Sequence, residues 1–311
     1  MSGEGSNQLF GTVCLIGVGL EGGSLALNIR WHGLARKVVG VARRAETIQR
    51  IRELGLTDEV TDDVRAAAAE ADLVVFCTPI GAYAELADKL QDVFKPGAIV
   101  TDVGSVKQAA IRDIGPAIPD NVHFVPGHPV AGTEHSGPDA AFLELFEDRY
   151  CILTPPPGTD EAAIAKVRAL WEACGSMVEI MEPHHHDKVL GITSHLPHLI
   201  AYTIVATAAD LEESTRQEVI RYSASGFRDF TRIAASDPVM WRDIFLNNRE
   251  AVLEILQRFS EDLTALQRAI RWGEGDTLEK VFARTREIRR GVLDLHQAGS
   301  FDPREKKSED E

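Results

Sequence analysis

The sequence predicts an α/β fold, with an N-terminal doubly wound parallel sheet followed by a C-terminal all-α region. Three observations carry this reading. Short apolar runs alternate with helical patterns through the first half, a glycine-rich turn closes the first run, and from about residue 184 the pattern stays helical. Strands alternating with helices of this length mark βαβ units and a parallel sheet.

The strand-like runs are 12–16, 37–41, 73–77, 98–102, 123–125 and 150–154, and helices are expected at 24–30, 45–53, 83–93 and 107–113. Pro155, Pro156, Pro157 and Gly158 end the sixth run, because neither element continues through such a stretch. A helix over 160–173 and a short strand over 177–180 complete this half. In the second half, 192–209 is apolar nearly all round, which predicts a helix buried on several sides. Asp237 followed by Pro238 reads as a helix start, an N-cap with proline at the first helical position. Ile244, Phe245, Val252, Ile255, Leu256, Phe259, Leu263 and Leu266 then recur near helical spacing. A last helix is expected over 276–295 and a disordered tail over 298–311. The expected domains are therefore 10–182 and 183–297. So apolar a helical region has more hydrophobic surface than one copy covers, which points to dimerisation through it.

Composition narrows the partners. The 311 residues carry 33 Lys+Arg against 48 Asp+Glu, a net charge of −15, which opposes a broad nucleic-acid or anionic-membrane footprint. No uninterrupted apolar run approaches the ~18 residues of a membrane span, and the N-terminus lacks a basic flank and apolar stretch of the signal-peptide kind. Cys14, Cys77, Cys151 and Cys174 show no metal or redox spacing and fit buried thiols in a reducing compartment. A cytoplasmic protein with no nucleic-acid or membrane partner is expected. An anionic ligand must then be held by a few local arginines, lysines or helix N-termini.

The first apolar run leads into Gly17-Val18-Gly19-Leu20-Glu21-Gly22, a G-x-G-x-x-G turn where a dinucleotide fingerprint of the Rossmann type belongs. Gly17 permits the tight turn, Gly19 lets the backbone approach a pyrophosphate, and Gly22 lets helix and strand pack closely. The helix that follows offers free N–H groups to phosphates. For NAD, the second strand should end in a carboxylate that binds the ribose. Here it ends in Arg43 and Arg44, which suit a 2′-phosphate and predict a preference for NADP. The other reading is that these arginines cap a solvated loop and NAD binds without a ribose carboxylate.

Two further segments, 101–107 and 127–134, sit where strand C-termini meet the next element, the ligand-binding edge of such sheets. His128 in the second is a candidate base near neutral pH, and Ser105 in the first is placed to fix its tautomer. In the helical half, Arg228 and Arg232 offer guanidinium forks for a small dicarboxylate, the alternative being ion pairs with Asp229 or Asp243. His184, His185 and His186 with His195 and His198 lack a completing Cys or carboxylate in ligand spacing. No metal is expected, and the triple histidine reads as a solvated helix start.

Together, GVGLEGGS, ADLVVFCTP, TDVGSVK, GHPVAGTEHSG, ITSHLPHLIA and GFRDFTRIAASDPVMWRDIFLNN resemble the prephenate dehydrogenase family, which includes arogenate and cyclohexadienyl dehydrogenases. The resemblance covers roughly residues 10 to 295. It implies a dinucleotide-binding domain, a helical dimerisation domain and a homodimer. The implied reaction is oxidative decarboxylation of prephenate to 4-hydroxyphenylpyruvate, or of arogenate to tyrosine, with NADP or NAD. It implies that His128 contacts the ring 4-hydroxyl, Ser105 orients it, and Arg232 anchors a substrate carboxylate. Thr133, Glu134, Ser194, His198, Asp229 and Trp241 match further pocket positions. Leu20, Thr78 and Pro79 fall on the cofactor side with the glycines. One departure is Glu21, where the family usually has an apolar residue; a carboxylate pointing inward there would repel the cofactor. An arogenate-specific dehydrogenase and a non-catalytic NAD(P)-binding regulator are the alternative readings. A β-hydroxyacid dehydrogenase or imine reductase shares the two-domain plan.

Overall fold

The computed structural model describes residues 8–210, 221 and 225–293. The tail expected over 298–311 and the last residues of the helix expected to end at 295 lie outside them.

Six strands form one sheet in the order β3-β2-β1-β4-β5-β6. They are β1 (Phe10–Ile16), β2 (Ala35–Val41), β3 (Glu59–Thr61), β4 (Leu73–Phe76), β5 (Ile99–Asp102) and β6 (His123–Phe124). Every pairing is parallel, and β1 pairs with both β2 and β4. The order therefore reverses at β1, opening a crevice beyond the carboxyl ends of β1 and β4. The connecting helices are α1 (Leu20–Trp31), α2 (Ala45–Leu54), α3 (Val64–Ala69), α4 (Tyr83–Asp88) and α5 (Lys107–Ile114). Alternation along the strands divides the core in two. Val13 and Leu15 pack on one face with Leu25 and Ile29 of α1, whereas Cys14 and Ile16 pack on the other with Ala109 and Ala110 of α5.

The 150–154 run does not join this sheet, contrary to expectation. β6 is only two residues long, and Pro126 follows it with no N–H to continue a ladder. The chain instead starts a second, three-stranded sheet of β7 (Gly127–Pro129), β8 (Tyr150–Leu153) and β9 (Met177–Ile180), with β7 antiparallel to β8. α6 (Glu161–Ala173) lies between β8 and β9, its N-cap Asp160 accepting from the Ala163 N–H at 2.8 Å. β7 and β3 were not expected from the sequence.

The helical half begins with α7 (Pro183–Leu190), a π-helical turn over Gly191–His195, and α8 (Leu196–Ala209). The expected burial on several sides is not met within this chain. Among the residues of α8 only Leu196 and Ala201 are buried, and Ile204 and Val205 are exposed. On length and composition alone, the 27 continuous helical residues Pro183–Ala209 are long and apolar enough to cross a membrane, although no single uninterrupted apolar run makes up that length. Beyond them lie Ser225–Thr231 and Pro238–Asn247, the latter started as expected by Asp237, whose carboxylate accepts from Val239 and Met240 N–H at 2.8 and 2.9 Å.

Two compact units are distinguished, one running to Leu253 and one from Glu254. Within the first, Trp241 and Ile244 of the helical half belong to the same core cluster as residues of β4 and β5. The unit from Glu254 comprises most of helix Arg249–Trp272 and helix Gly275–Leu293. Its Leu263, Ile270, Phe282 and Ile288 are exposed.

Candidate active site

A cavity of about 570 Å³ opens at the carboxyl ends of the strands flanking the switch point. The glycines do what their spacing requires. Gly17 has φ +99°, a conformation that side chains rarely adopt. A Cβ on Gly22 would collide with the Gly17 carbonyl oxygen, whereas one on Gly19 would meet nothing within 4 Å. Gly19 therefore leaves open backbone beside an α1 terminus with no side-chain cap, a cradle that fits a pyrophosphate. Leu20, Thr78 and Pro79 line the cavity. Arg43 and Arg44 are exposed just past β2, with Arg44 at the N-cap of α2, and neither forms an ion pair among the described residues. Glu21 does line the cavity, but burial pushes its carboxyl up to about 8. Burial thus favours the uncharged carboxyl there, which weakens the expected repulsion.

His128, which lines the same cavity, sits in β7, 6% exposed. Its Nδ1 lies 2.9 Å from Nε2 of His186, whose Nδ1 lies 2.8 Å from Asp187 Oδ1. Asp187 also accepts the Lys107 and Gln108 N–H groups at 2.7 and 3.0 Å, tying α7 to the first turn of α5. Burial above all, then the neighbouring His186, Lys107 and His195, hold the His128 imidazole well below its usual range. Ser105 lines the cavity but makes no hydrogen bond to His128; α7 supplies the partner expected of β5's loop. The triple histidine is likewise not uniformly solvated: His184 and His185 are exposed, and His186 is fully buried.

Beneath the site, Lys107 and Asp102 form a fully buried ion pair. Lys107 Nζ lies 2.5 Å from Asp102 Oδ2 and 2.5 Å from the Gly127 carbonyl oxygen. Tyr83 Oη, Gly104 N–H and Gly127 N–H donate to the same carboxylate at 3.2, 2.9 and 3.2 Å.

Thr133, Glu134, Ser194, His198, Arg232 and Trp241 all line the cavity. Asp229 does not; it is exposed on Ser225–Thr231. Arg232 pairs with Glu134 at 2.8 Å, not with Asp229 or Asp243, and Asp243 pairs with Arg242. His198 stacks on Trp241 with centroids 3.6 Å apart, and its Nδ1 lies 2.9 Å from the Ser194 carbonyl oxygen. A carbonyl only accepts, so His198 Nδ1 carries the proton and a neutral ring presents a lone pair at Nε2. Burial holds this imidazole below its usual range. His195 is bridged to the Asp187 carbonyl oxygen through Asn248, whose amide reaches both.

Sequence reasoning missed His186, Asp187, Lys107, Asp102 and Asn248. A signal existed for the first two, because Leu190 sits one turn beyond His186 and marks the buried face of α7. The four cysteines are free, and burial pushes Cys14 and Cys174 up to about 12. Among the described residues, no group of three or more His, Cys, Asp or Glu is arranged to hold a metal ion.

A doubly wound sheet with a phosphate cradle at its switch point, facing a buried histidine in the same cavity, defines a nucleotide-dependent oxidoreductase. Residues 25–180 match the family model described as prephenate dehydrogenase, nucleotide-binding domain, and residues 182–284 its dimerization domain. A cyclohexadienyl dehydrogenase of Zymomonas mobilis is 41% identical over 93% of this chain and 98% of its own length. The crystal structure of prephenate dehydrogenase from A. aeolicus in complex with hydroxyphenyl propionate and NAD+ superposes with a TM-score of 0.82. It shares 37% identity, over 91% of this chain and 98% of that one. A Synechocystis arogenate dehydrogenase structure gives 0.75 and 29% identity over 90% and 99%. The chain belongs to the prephenate dehydrogenase family.

Proposed function

We propose that this chain catalyses the oxidative decarboxylation of prephenate to 4-hydroxyphenylpyruvate in tyrosine biosynthesis, with arogenate as a second substrate. The observation that carries the mechanism is the state of His128. Its Nδ1 is engaged by His186, Nε2 makes no hydrogen bond within the protein, and the ring lines the cavity. A neutral imidazole so placed accepts the proton of the ring 4-hydroxyl. A nicotinamide held at the Gly17–Gly22 turn would supply the hydride acceptor for the same carbon. Carbon dioxide leaves as the ring becomes aromatic, so the protein has to orient, deprotonate and hold two carboxylates. Arg232 is the cation on the substrate wall, and its fork suits one of them. Glu134, its partner in this structure, must yield part of that contact to the substrate. Thr133, Ser194, His198 and Trp241 close the pocket, with Ser105 between substrate and cofactor.

For the cofactor, the open backbone at Gly19, the uncapped α1 terminus and the raised carboxyl of Glu21 support NAD(P), held also by Leu20, Thr78 and Pro79. The exposed Arg43 and Arg44 support NADP over NAD. The exposed Ile204 and Val205 on α8 and the match to the family's dimerization domain support a homodimer. Nothing in the net charge of −15 favours a nucleic-acid or anionic-membrane partner, and a cytoplasmic setting fits. Following reduced nicotinamide with prephenate and arogenate tests the activity. His128→Asn should lower kcat about a hundredfold or more with cofactor affinity unchanged. Near wild-type kcat would remove His128 from the role of base.

A further inference from the structure

The buried chain behind His128 has a fixed direction, which follows from what each group is able to donate. The Asp187 carboxylate receives two backbone N–H groups from the first turn of α5 as well as His186 Nδ1. Burial opposes its charge, but these contacts together outweigh it and hold the carboxyl below the usual range, so it is ionised and only accepts. His186 Nδ1 must therefore be the donor. The ring is neutral, with its imidazole held below the usual range chiefly by burial, so Nε2 has only a lone pair to offer. His128 Nδ1, 2.9 Å away, then has to carry the proton of that contact. His128 is neutral for the same reason, and its own Nε2 is left bare.

We propose that Asp187 and His186 are positioning residues for His128, locking its proton on Nδ1 so that an unprotonated Nε2 meets the substrate hydroxyl. This rests on the reading of His128 as the base. A free histidine side chain favours the opposite tautomer, with the proton on Nε2, and in that form the ring offers the hydroxyl a donor instead of an acceptor. The rings of His128 and His186 meet edge-on, with centroids 5.1 Å apart at 67°, so the contact also sets the ring plane. His186 and Asp187 lie in α7 with no exposed surface, and Asn248, in the turn that follows helix Pro238–Asn247, holds the Asp187 backbone at 2.8 Å. Ser105, which makes no bond to His128, is then free for ligand contact.

Nitrogen-15 NMR of the full chain labelled at histidine reads the tautomer directly, with His128→Asn assigning the signals. The expected result is a protonated Nδ1 and an unprotonated Nε2 on His128. His186→Leu should mix the two tautomers and lower kcat at least about tenfold, with the dissociation constant for the cofactor unchanged. His186→Gln, whose amide is able to donate to Asp187 and accept from His128, should keep the tautomer and most of kcat. A wild-type His128 protonated on Nε2 overturns the proposal. So does His186→Leu with the wild-type tautomer and kcat. Should His186→Leu not fold, the wild-type spectrum and His186→Gln decide. If His128→Asn stays active, the base reading fails while the spectrum still reports on the lock.

Discussion

Replacing Lys107 by Met should destabilise the protein far more than loss of a surface cation does. The Lys107–Asp102 pair has no solvent exposure on either side chain. With the ammonium gone, the Asp102 carboxylate keeps three donors, the Tyr83 hydroxyl and the N–H groups of Gly104 and Gly127. None of these carries a charge. The Gly127 carbonyl oxygen also loses its donor. Breaking a buried pair from one side costs about 3–5 kcal/mol, because the remaining charge is uncompensated. For a chain of this size about 2 °C accompanies each kcal/mol, so Tm should fall by roughly 6–10 °C. Thermal and urea denaturation of the purified protein measure this. Adding Asp102→Asn to the Met variant removes the stranded charge and should recover part of the loss. A cost under about 1 kcal/mol, the range of exposed pairs, would refute the reasoning, as would an Asp102→Asn addition that made matters worse.

Three further outcomes follow from the site. His128→Asn should abolish turnover without weakening the cofactor, and the wild-type acid limb in kcat should lie below the ordinary histidine range, since burial lowers this imidazole; an acid limb above pH 7 would contradict that. Arg43→Ala with Arg44→Ala should raise the KM for NADP and leave that for NAD nearly unchanged, and wild-type protein that uses NAD as well as or better than NADP would refute the arginine reading. His198 is neutral above its lowered pKa and then offers Nε2 as an acceptor to the arogenate ammonium, whereas the protonated ring below that pKa donates to the prephenate keto group. The ratio of kcat/KM for prephenate to that for arogenate should therefore rise as pH falls through that lowered pKa, below the ordinary histidine range. The ratio cancels the shared loss at His128, and a ratio that is flat with pH, or unchanged by His198→Ala, would remove His198 from substrate choice.

The parts of this molecule legible in its sequence are those where one local signal suffices. β1 and the turn after it were readable because an apolar run meets three glycines, each with a separate steric reason. β3 was not, since three residues carry too little pattern, and β7 was hidden because Gly127-His128-Pro129 resembles a loop. α8 was misjudged for a different reason. Its apolar character is real, but a sequence does not distinguish burial within a chain from burial against another copy. The substrate-pocket positions were implied by the family resemblance; of these Asp229, and on the cofactor side Arg43 and Arg44, are not among the residues that line the cavity. The support behind His128 was out of reach in another way. Asp187 meets the N–H of Lys107 across 80 residues of sequence, and no local window contains both.

The π-helical turn over Gly191–His195 has a consequence for how this stretch tolerates changes of length. In an unbroken α-helix, eight residues from Asp187 to His195 advance about 800°, leaving the two some 80° apart around the axis. A π-bulge accommodates one residue more than the α-helical ladder around it, so the effective separation is seven residues, about two full turns. The two residues then share a face, and Asn248 bridges them with one amide. Shortening the turn by one residue turns it into plain α-helix and keeps Asp187 and His195 aligned. Lengthening it by one swings His195, His198 and everything after them by about 100° relative to His186. The segment that joins the base's supports to the substrate wall is thus forgiving of a deletion and closed to an insertion.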